Sequence, residues 1–191
     1  LTHEKKLGSG VFSRVFKTKS DNFTANPAQT LKVFESKYLR YIFREVKILK
    51  QIAKNIDHDL ITRAYACPWK HQSYSQIFME CHTKGTLGNF YQINPDILIT
   101  EYMLAFILAE FSEGLDMLHN IVVVHRYINK DNILIRDNGH LTTSDFGSSI
   151  LHNFSNDLIN EIFLEVVWIS KIKIGISKII IKVIYLTTMH L

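Results

Sequence analysis

The residues of this chain whose types and spacing suit phosphate handling are the run Gly8-Ser9-Gly10-Val11-Phe12-Ser13-Arg14-Val15, together with Lys32, Glu45, Asn132 and Asp145-Phe146-Gly147. Glycines at a strand–turn–strand bend let backbone amides approach phosphate oxygens with no side chain in the way. The same run also suits an ordinary hairpin. A dinucleotide-binding turn does not fit, because a strand rather than a helix follows the glycines. Lys32, between Leu31 and Val33, either projects to solvent or is an ammonium held against phosphates by a carboxylate, for which Glu45 on the next element is placed. Asp145 follows a strand and precedes an aromatic and a flexible residue, and Asn132 lies thirteen positions earlier. An amide and a carboxylate meeting at one point suit Mg²⁺, which takes a few oxygen ligands beside phosphate.

These residues need elements to carry them. Residues 5–18 alternate into strand, turn and strand, the polar stretch 20–27 ends in Pro27, and 28–34 form another short apolar strand. From 38 to 53, Ile42, Val46, Leu49 and Ala53 recur at helical spacing. Two strands are expected near 61–66 and 75–80. Asn94-Pro95 reads as a helix start, and Leu104, Ile107, Leu108, Phe111, Leu115 and Leu118 mark one face of a long helix ending near Asn120. Short strands are expected at 121–124 and 133–135. Asp137-Asn138-Gly139 then makes a tight turn into a strand at 140–143.

Composition narrows the class. At 191 residues, 47% hydrophobic and 21% charged, the chain can bury a substantial core and does not read as disordered. Its net charge of +4 comes from scattered lysines and arginines, which argues against nucleic acid as a partner. Cys67 and Cys81 have no zinc-site spacing and read as two half-buried thiols in a reducing compartment. The nine histidines form no H-E-x-x-H arrangement. Residues 1–20 contain no apolar signal-peptide core. Residues 158–191 are the most apolar, but Glu161, Glu165, Lys171, Lys173, Lys178 and Lys182 interrupt them, so no clear membrane span is expected.

In order and spacing these residues resemble the protein-kinase family, from Lys5 to about Ser149. The likeness runs through the glycine-rich loop, Lys32 in a third strand, Glu45 in the following helix and Met79-Glu80-Cys81 at a hinge. It continues through His125-Arg126, Asn132 and Asp145-Phe146-Gly147. The resemblance implies an α+β, two-lobed protein-kinase-like fold, with a complete β-rich N-lobe and hinge at 1–85. A truncated α-rich C-lobe would occupy 86–150, and a divergent tail 151–191. ATP and Mg²⁺ are the implied cofactors. Leu7, Gly8, Ser9, Gly10 and Val15 would cover the nucleotide, Lys32 would hold its phosphates while paired with Glu45, and Asn132 and Asp145 would hold the metal. Met79 would be the gatekeeper, with Glu80 and Cys81 backbone groups against adenine. Cys67-Pro68-Trp69, Gln76 to Cys81 and Gly85-Thr86-Leu87 look like the Wee/Myt-type kinases, which would make a cyclin-dependent kinase the partner and the cytoplasm or nucleus the location.

The pattern breaks in the catalytic loop. The family writes H-R-D-L-K-x-x-N, and here the run is His125-Arg126-Tyr127-Ile128-Asn129-Lys130-Asp131-Asn132. Tyr127 stands where the aspartate that accepts the substrate's proton belongs, and Asn129 stands where a lysine would steady the γ-phosphate. A phenol with an ordinary pKa near 10 stays protonated at neutral pH. Asp131 and Lys130 are displaced along the loop. Ser13 takes the third glycine's place, and Thr30 replaces the small residue over adenine. Beyond Ser149 nothing in 151–191 looks kinase-like. The alternation of Ile172, Ile174 and Ile176 with Lys171, Lys173 and Gly175 reads as strand-prone, or as translated non-coding sequence. Three readings follow: a phosphotransferase with a defective sequence, a non-catalytic pseudokinase scaffold, or a fragment that does not fold alone. A shortened C-lobe would expose apolar surface for a protein partner to cover.

Overall fold

Five strands of seven or eight residues build the first lobe. The computed structural model describes residues 2–10, 12–19, 28–71 and 74–152. The expected turn at 20–27 and the tail from 153 lie outside the described residues. Strands β1 (Thr2–Ser9), β2 (Ser13–Lys19), β3 (Ala28–Glu35), β4 (Ala64–His71) and β5 (Tyr74–Glu80) form one sheet in the order β1-β2-β3-β5-β4. Every neighbouring pair is antiparallel. β3 is the central strand, and Gln29, Thr30, Leu31, Lys32 and Phe34 along it are all buried. Consecutive strand residues point to opposite faces, so both faces of β3 are covered. Lys32 therefore cannot simply project to solvent.

Helix α1 (Leu39–Asn55) crosses the sheet. Ile42, Val46, Leu49 and Ile52 recur every three or four residues and are buried, in one core with Phe34 and Ile77. Glu45 is on this inward side, at 1% exposure.

The second lobe holds α2 (Leu87–Ile93), α3 (Glu101–Asn120) and two small ladders, β7 (Ile133–Ile135) with β8 (Leu141–Thr143) and β6 (Val123–Val124) with β9 (Ile150–Leu151). Leu104, Leu108, Phe111, Leu115 and Leu118 form the buried face of α3, as their spacing predicts. The start of that helix differs from expectation. Asn94 closes α2, donating through Nδ2 to the Phe90 carbonyl at 2.8 Å. α3 begins seven residues later, capped by Thr100, whose Oγ1 accepts from the Met103 N–H at 3.2 Å. The Asn-Pro pair could not start α3 because its asparagine was already the end of a short helix absent from the sequence reading. That helix carries its own signal, a Thr86/Asn89 capping box.

The lobes interlock through the connection after α1. Thr62 N–H donates to the Thr143 carbonyl at 3.0 Å, and Thr143 N–H donates to the Leu60 carbonyl at 2.8 Å. Residues 60–62 thus run as an extra edge along β8.

Candidate active site

Register across the sheet assembles the first part of the site. Gly8 pairs with Val15 and Val15 with Lys32, so these residues lie in one transverse row. In the next row on the same face, Thr30 pairs with Met79. A Cβ on Gly8 would meet nothing within 4 Å, so packing within the chain does not demand glycine there. Leu7 is exposed, Ser9 and Gly10 lie at the bend, and the Gly10 N–H donates to the Ser13 carbonyl at 2.9 Å. At the hinge the Glu80 N–H is already engaged by the Arg63 carbonyl at 2.9 Å, while Cys81 is half-buried. Cys67 lies on β4, its side chain outside what the structure describes.

Lys32 is the centre. Its Nζ is 2.7 Å from Glu45 Oε1 and 2.7 Å from Asp145 Oδ1, joining β3, α1 and the segment after β8. Burial works against the ammonium, but the two carboxylates outweigh it and hold its pKa above the ordinary lysine range. Glu45 is the most enclosed of the three. Burial pushes its carboxyl up, and with the nearby Asp145 charge outweighs the pull of Lys32. Burial also acts upward on Asp145, but the charge and hydrogen bond of Lys32 and the Gly147 N–H prevail, and its carboxyl lies below the usual range.

Around Asp145 the backbone is held in a costly form. Asp145 (φ 61°) and Arg126 (φ 63°) both take the left-handed conformation, which costs a non-glycine residue on the order of 1–3 kcal/mol. Several bonds hold it there. His125 Nε2 donates to the Ser144 carbonyl at 2.9 Å, and the Tyr127 N–H donates to His125 Nδ1 at 3.3 Å, which places the proton on Nε2. Ser144 donates from both N–H and Oγ to the Asn132 carbonyl, at 2.9 and 3.0 Å. Arg126 Nε donates to the Ser148 carbonyl at 2.8 Å. The Phe146 ring is buried edge-on against His125, with centroids 5.3 Å apart. The loop from His125 to Asn132 and the Asp145-Phe146-Gly147 segment are therefore one hydrogen-bonded unit.

Asn132 Nδ2 donates to the Tyr127 carbonyl at 2.8 Å, which orients the amide so that Oδ1 is its remaining acceptor. Asp145 has one oxygen on Lys32 and the other open, with its side chain 45% exposed. An amide oxygen and a carboxylate oxygen, with phosphate oxygens completing the sphere, fit Mg²⁺. Among the described residues no three His, Cys, Asp or Glu side chains cluster as a metal site, so a cation here would depend on that pair.

The two anomalous loop residues have no comparable placement. Tyr127 is 53% exposed, and its phenol makes no hydrogen bond among the described residues. The Asn129 side chain folds back on its own loop, with Oδ1 accepting from the Asp131 N–H at 2.8 Å and the Asn132 N–H at 3.2 Å. It shapes the loop rather than reaching outward. Asp131 is exposed and lies against Gly88 at the start of α2.

Sequence reasoning missed a charged cluster behind the hinge. Arg136 contacts Glu80 Oε1 at 3.3 Å, Asp59 Oδ2 at 3.2 Å and the Asp59 carbonyl at 3.1 Å, and Arg63 bridges Asp57 and Asp59. The partners of Arg136 lie more than fifty positions away, beyond any local spacing signal.

A small antiparallel sheet with one crossing helix, a buried lysine held by two carboxylates and a loop that presents an asparagine and an aspartate define a class by fold: two-lobed protein-kinase-like domains. The protein kinase domain family matches residues 1–170, and the chain belongs to that family. Ribosomal protein S6 kinase 2 beta of Xenopus laevis is 30% identical over 148 residues, covering 76% of this chain and 23% of that protein. Ribosomal protein S6 kinase alpha-1 of Rattus norvegicus is 29% identical over 151 residues, and alpha-3 of Homo sapiens 29% over 148, each match covering 20% of the relative. The chain thus spans about a fifth to a quarter of the length of these curated relatives.

Proposed function

We propose that this chain binds ATP with Mg²⁺ and that its transfer of phosphate to protein hydroxyls is impaired or lost. The observation that carries the first half is Lys32, buried and held at 2.7 Å by both Glu45 and Asp145. A fixed ammonium beside the open side of Asp145 and the Oδ1 of Asn132 can receive the phosphates and metal of a nucleotide, whose base would lie along Leu7, Val15 and Met79 toward Cys81. Bound Mg²⁺ would supply charge neutralisation between phosphates. The second half rests on Tyr127, which offers no carboxylate where the family's proton-accepting aspartate stands, and on Asn129, which is turned onto its own loop. The same observation favours a second reading, a pseudokinase that uses nucleotide to hold its shape for a partner.

Wee/Myt-type membership, with a cyclin-dependent kinase as target and action in the cytoplasm or nucleus, rests on the few residues that suggested it. The relatives reported above are named as S6 kinases, so the proposal extends to protein hydroxyls as a class.

The test is a thermal melt of the full chain with and without Mg-ATP. Ligand at a hundred times its Kd adds about 2.7 kcal/mol, which for a chain of this size raises Tm by roughly 5–10 °C. The shift should require Mg²⁺ and vanish in Lys32→Ala. A cooperative melt that nucleotide leaves unmoved would overturn the ATP reading.

A further inference from the structure

Between His125 and Asn132 lies a hydroxyl with no part in the site described above, that of Tyr127. The backbone of Tyr127 is fixed: its N–H donates to His125 Nδ1 at 3.3 Å, and its carbonyl accepts from Asn132 Nδ2 at 2.8 Å. Its Cα therefore belongs to the unit that carries Asn132 and, through the bonds of Ser144 to His125 and Asn132, Asp145. The side chain shares none of this restraint. It is 53% exposed, and its phenol makes no hydrogen bond among the described residues. Other hydroxyls of the unit are engaged, Ser144 Oγ donating to the Asn132 carbonyl at 3.0 Å and Ser149 Oγ to the His125 carbonyl at 3.2 Å.

Reach matters as much as freedom. A tyrosine oxygen stands roughly 3 Å further from its Cα than an aspartate oxygen does, about the length of one O–H···O bond. Where an aspartate would receive the hydroxyl of an incoming protein, Tyr127 can set its own hydroxyl in that hydroxyl's stead. With the backbone held, only the side-chain torsions χ1 and χ2 remain to be chosen.

We propose that Tyr127 is itself a phosphoryl acceptor, taking the γ-phosphoryl group of ATP bound to the same chain. This inference rests on the nucleotide reading above and names the hydroxyl that the site serves. The phenol oxygen bonds to the γ-phosphorus as the bond from that phosphorus to the β–γ bridging oxygen breaks. ADP leaves, and the phenol proton passes to the solvent that the exposed side chain meets. Phosphoryl transfer runs through a loose, largely dissociative transition state, so a neutral phenol reacts slowly, and once per chain, without a carboxylate to take its proton. The same occupancy works against outside hydroxyls, whose place is filled from within.

The experiment is the intact mass of the full chain after incubation with Mg-ATP, with fragment mapping, beside the Mg-ATP melt. The parent should gain one phosphoryl group, on Tyr127, at a rate independent of protein concentration. Tyr127→Phe should gain none while keeping the parent's Tm and its Mg-ATP shift. Without turnover, nitration of Tyr127 should be slower with a non-hydrolysable Mg-ATP analogue than with Mg-ADP, since only the analogue brings a γ-phosphoryl group to the phenol. Four results would each overturn this inference and leave the nucleotide reading standing: a Mg-ATP shift in Tm with no phosphoryl gain, gain elsewhere that Tyr127→Phe leaves unchanged, a rate that rises with protein concentration, or equal nitration with both nucleotides. Neither shift nor gain would overturn both.

Discussion

Lys32, Glu45 and Asp145 share one proton economy, and their shifts have different signs against pH. Asp145 lies below the ordinary carboxyl range when folded. Its charge therefore stabilises the fold above its unfolded value, about 3.9, and that contribution is lost as pH falls through the lower folded value. Lys32 is raised, so its contribution is complete below about 10.4 and fades only as pH climbs through the folded value above that. Glu45 opposes Asp145: its carboxyl is raised, so its share of stability declines as pH rises from about 4.3 through its folded value. Asp145→Asn should accordingly flatten the acid limb of Tm against pH between roughly 4 and 2, and an unchanged limb would mean that Asp145 is not the group responsible. Tyr127 is a separate matter, since its side chain makes no hydrogen bond or ring contact among the described residues. Tyr127→Asp should raise peptide phosphorylation by about 10²–10⁴-fold over the chain's own background, with the Mg-ATP shift in Tm unchanged. Binding without any gain would place the defect beyond position 127. Adding Asn129→Lys removes the two bonds that shape the loop, so the double variant should be the less stable of the two.

At the scale of elements, what was legible depended on how local the signal was. The β1–β2 bend, β3, α1 and the buried stripe of α3 are written in runs of eight to twenty residues, and each lies within a few residues of its expected place. The pairing of Lys32 with Glu45 was one of two readings the residues left open, and only the family resemblance implied it. α2 was not legible, because seven residues carry too few turns for a period to show. Its omission displaced the start of α3 to Asn94. Residues 60–62 along β8 were beyond reach as well, since their partners lie about eighty positions away. The corrected cap makes a prediction. Thr100→Ala should remove the bond to the Met103 N–H and cost about 1 kcal/mol, read as a fall in Tm of roughly 2–4 °C. An unchanged Tm would return the helix start to Asn94-Pro95.

For the whole molecule the question is whether two lobes of such different make-up unfold as one. Among the described residues the polar ties between them include Lys32 to Asp145, residues 60–62 along β8, the Gln51 amide to the Ile121 carbonyl, and Arg136 to both Asp59 and Glu80. The last is the most exposed to attack by substitution. Arg136 and Glu80 are only 15% and 10% exposed, so a charge left alone there is poorly solvated. The guanidinium also meets two carboxylates and a carbonyl with separate N–H groups, a geometry that a lysine's single ammonium does not reproduce. Arg136→Ala should cost about 1.5–3 kcal/mol and lower Tm by roughly 3–10 °C, and Arg136→Lys should recover little of it. The remaining ties and the apolar core the lobes share should still keep the melt a single transition, with calorimetric and van't Hoff enthalpies equal in parent and variant alike. If Arg136→Ala instead splits the melt in two, the lobes are independent bodies joined by one guanidinium. The Lys32–Asp145 contact would then be a consequence of that bridge rather than a support of the fold.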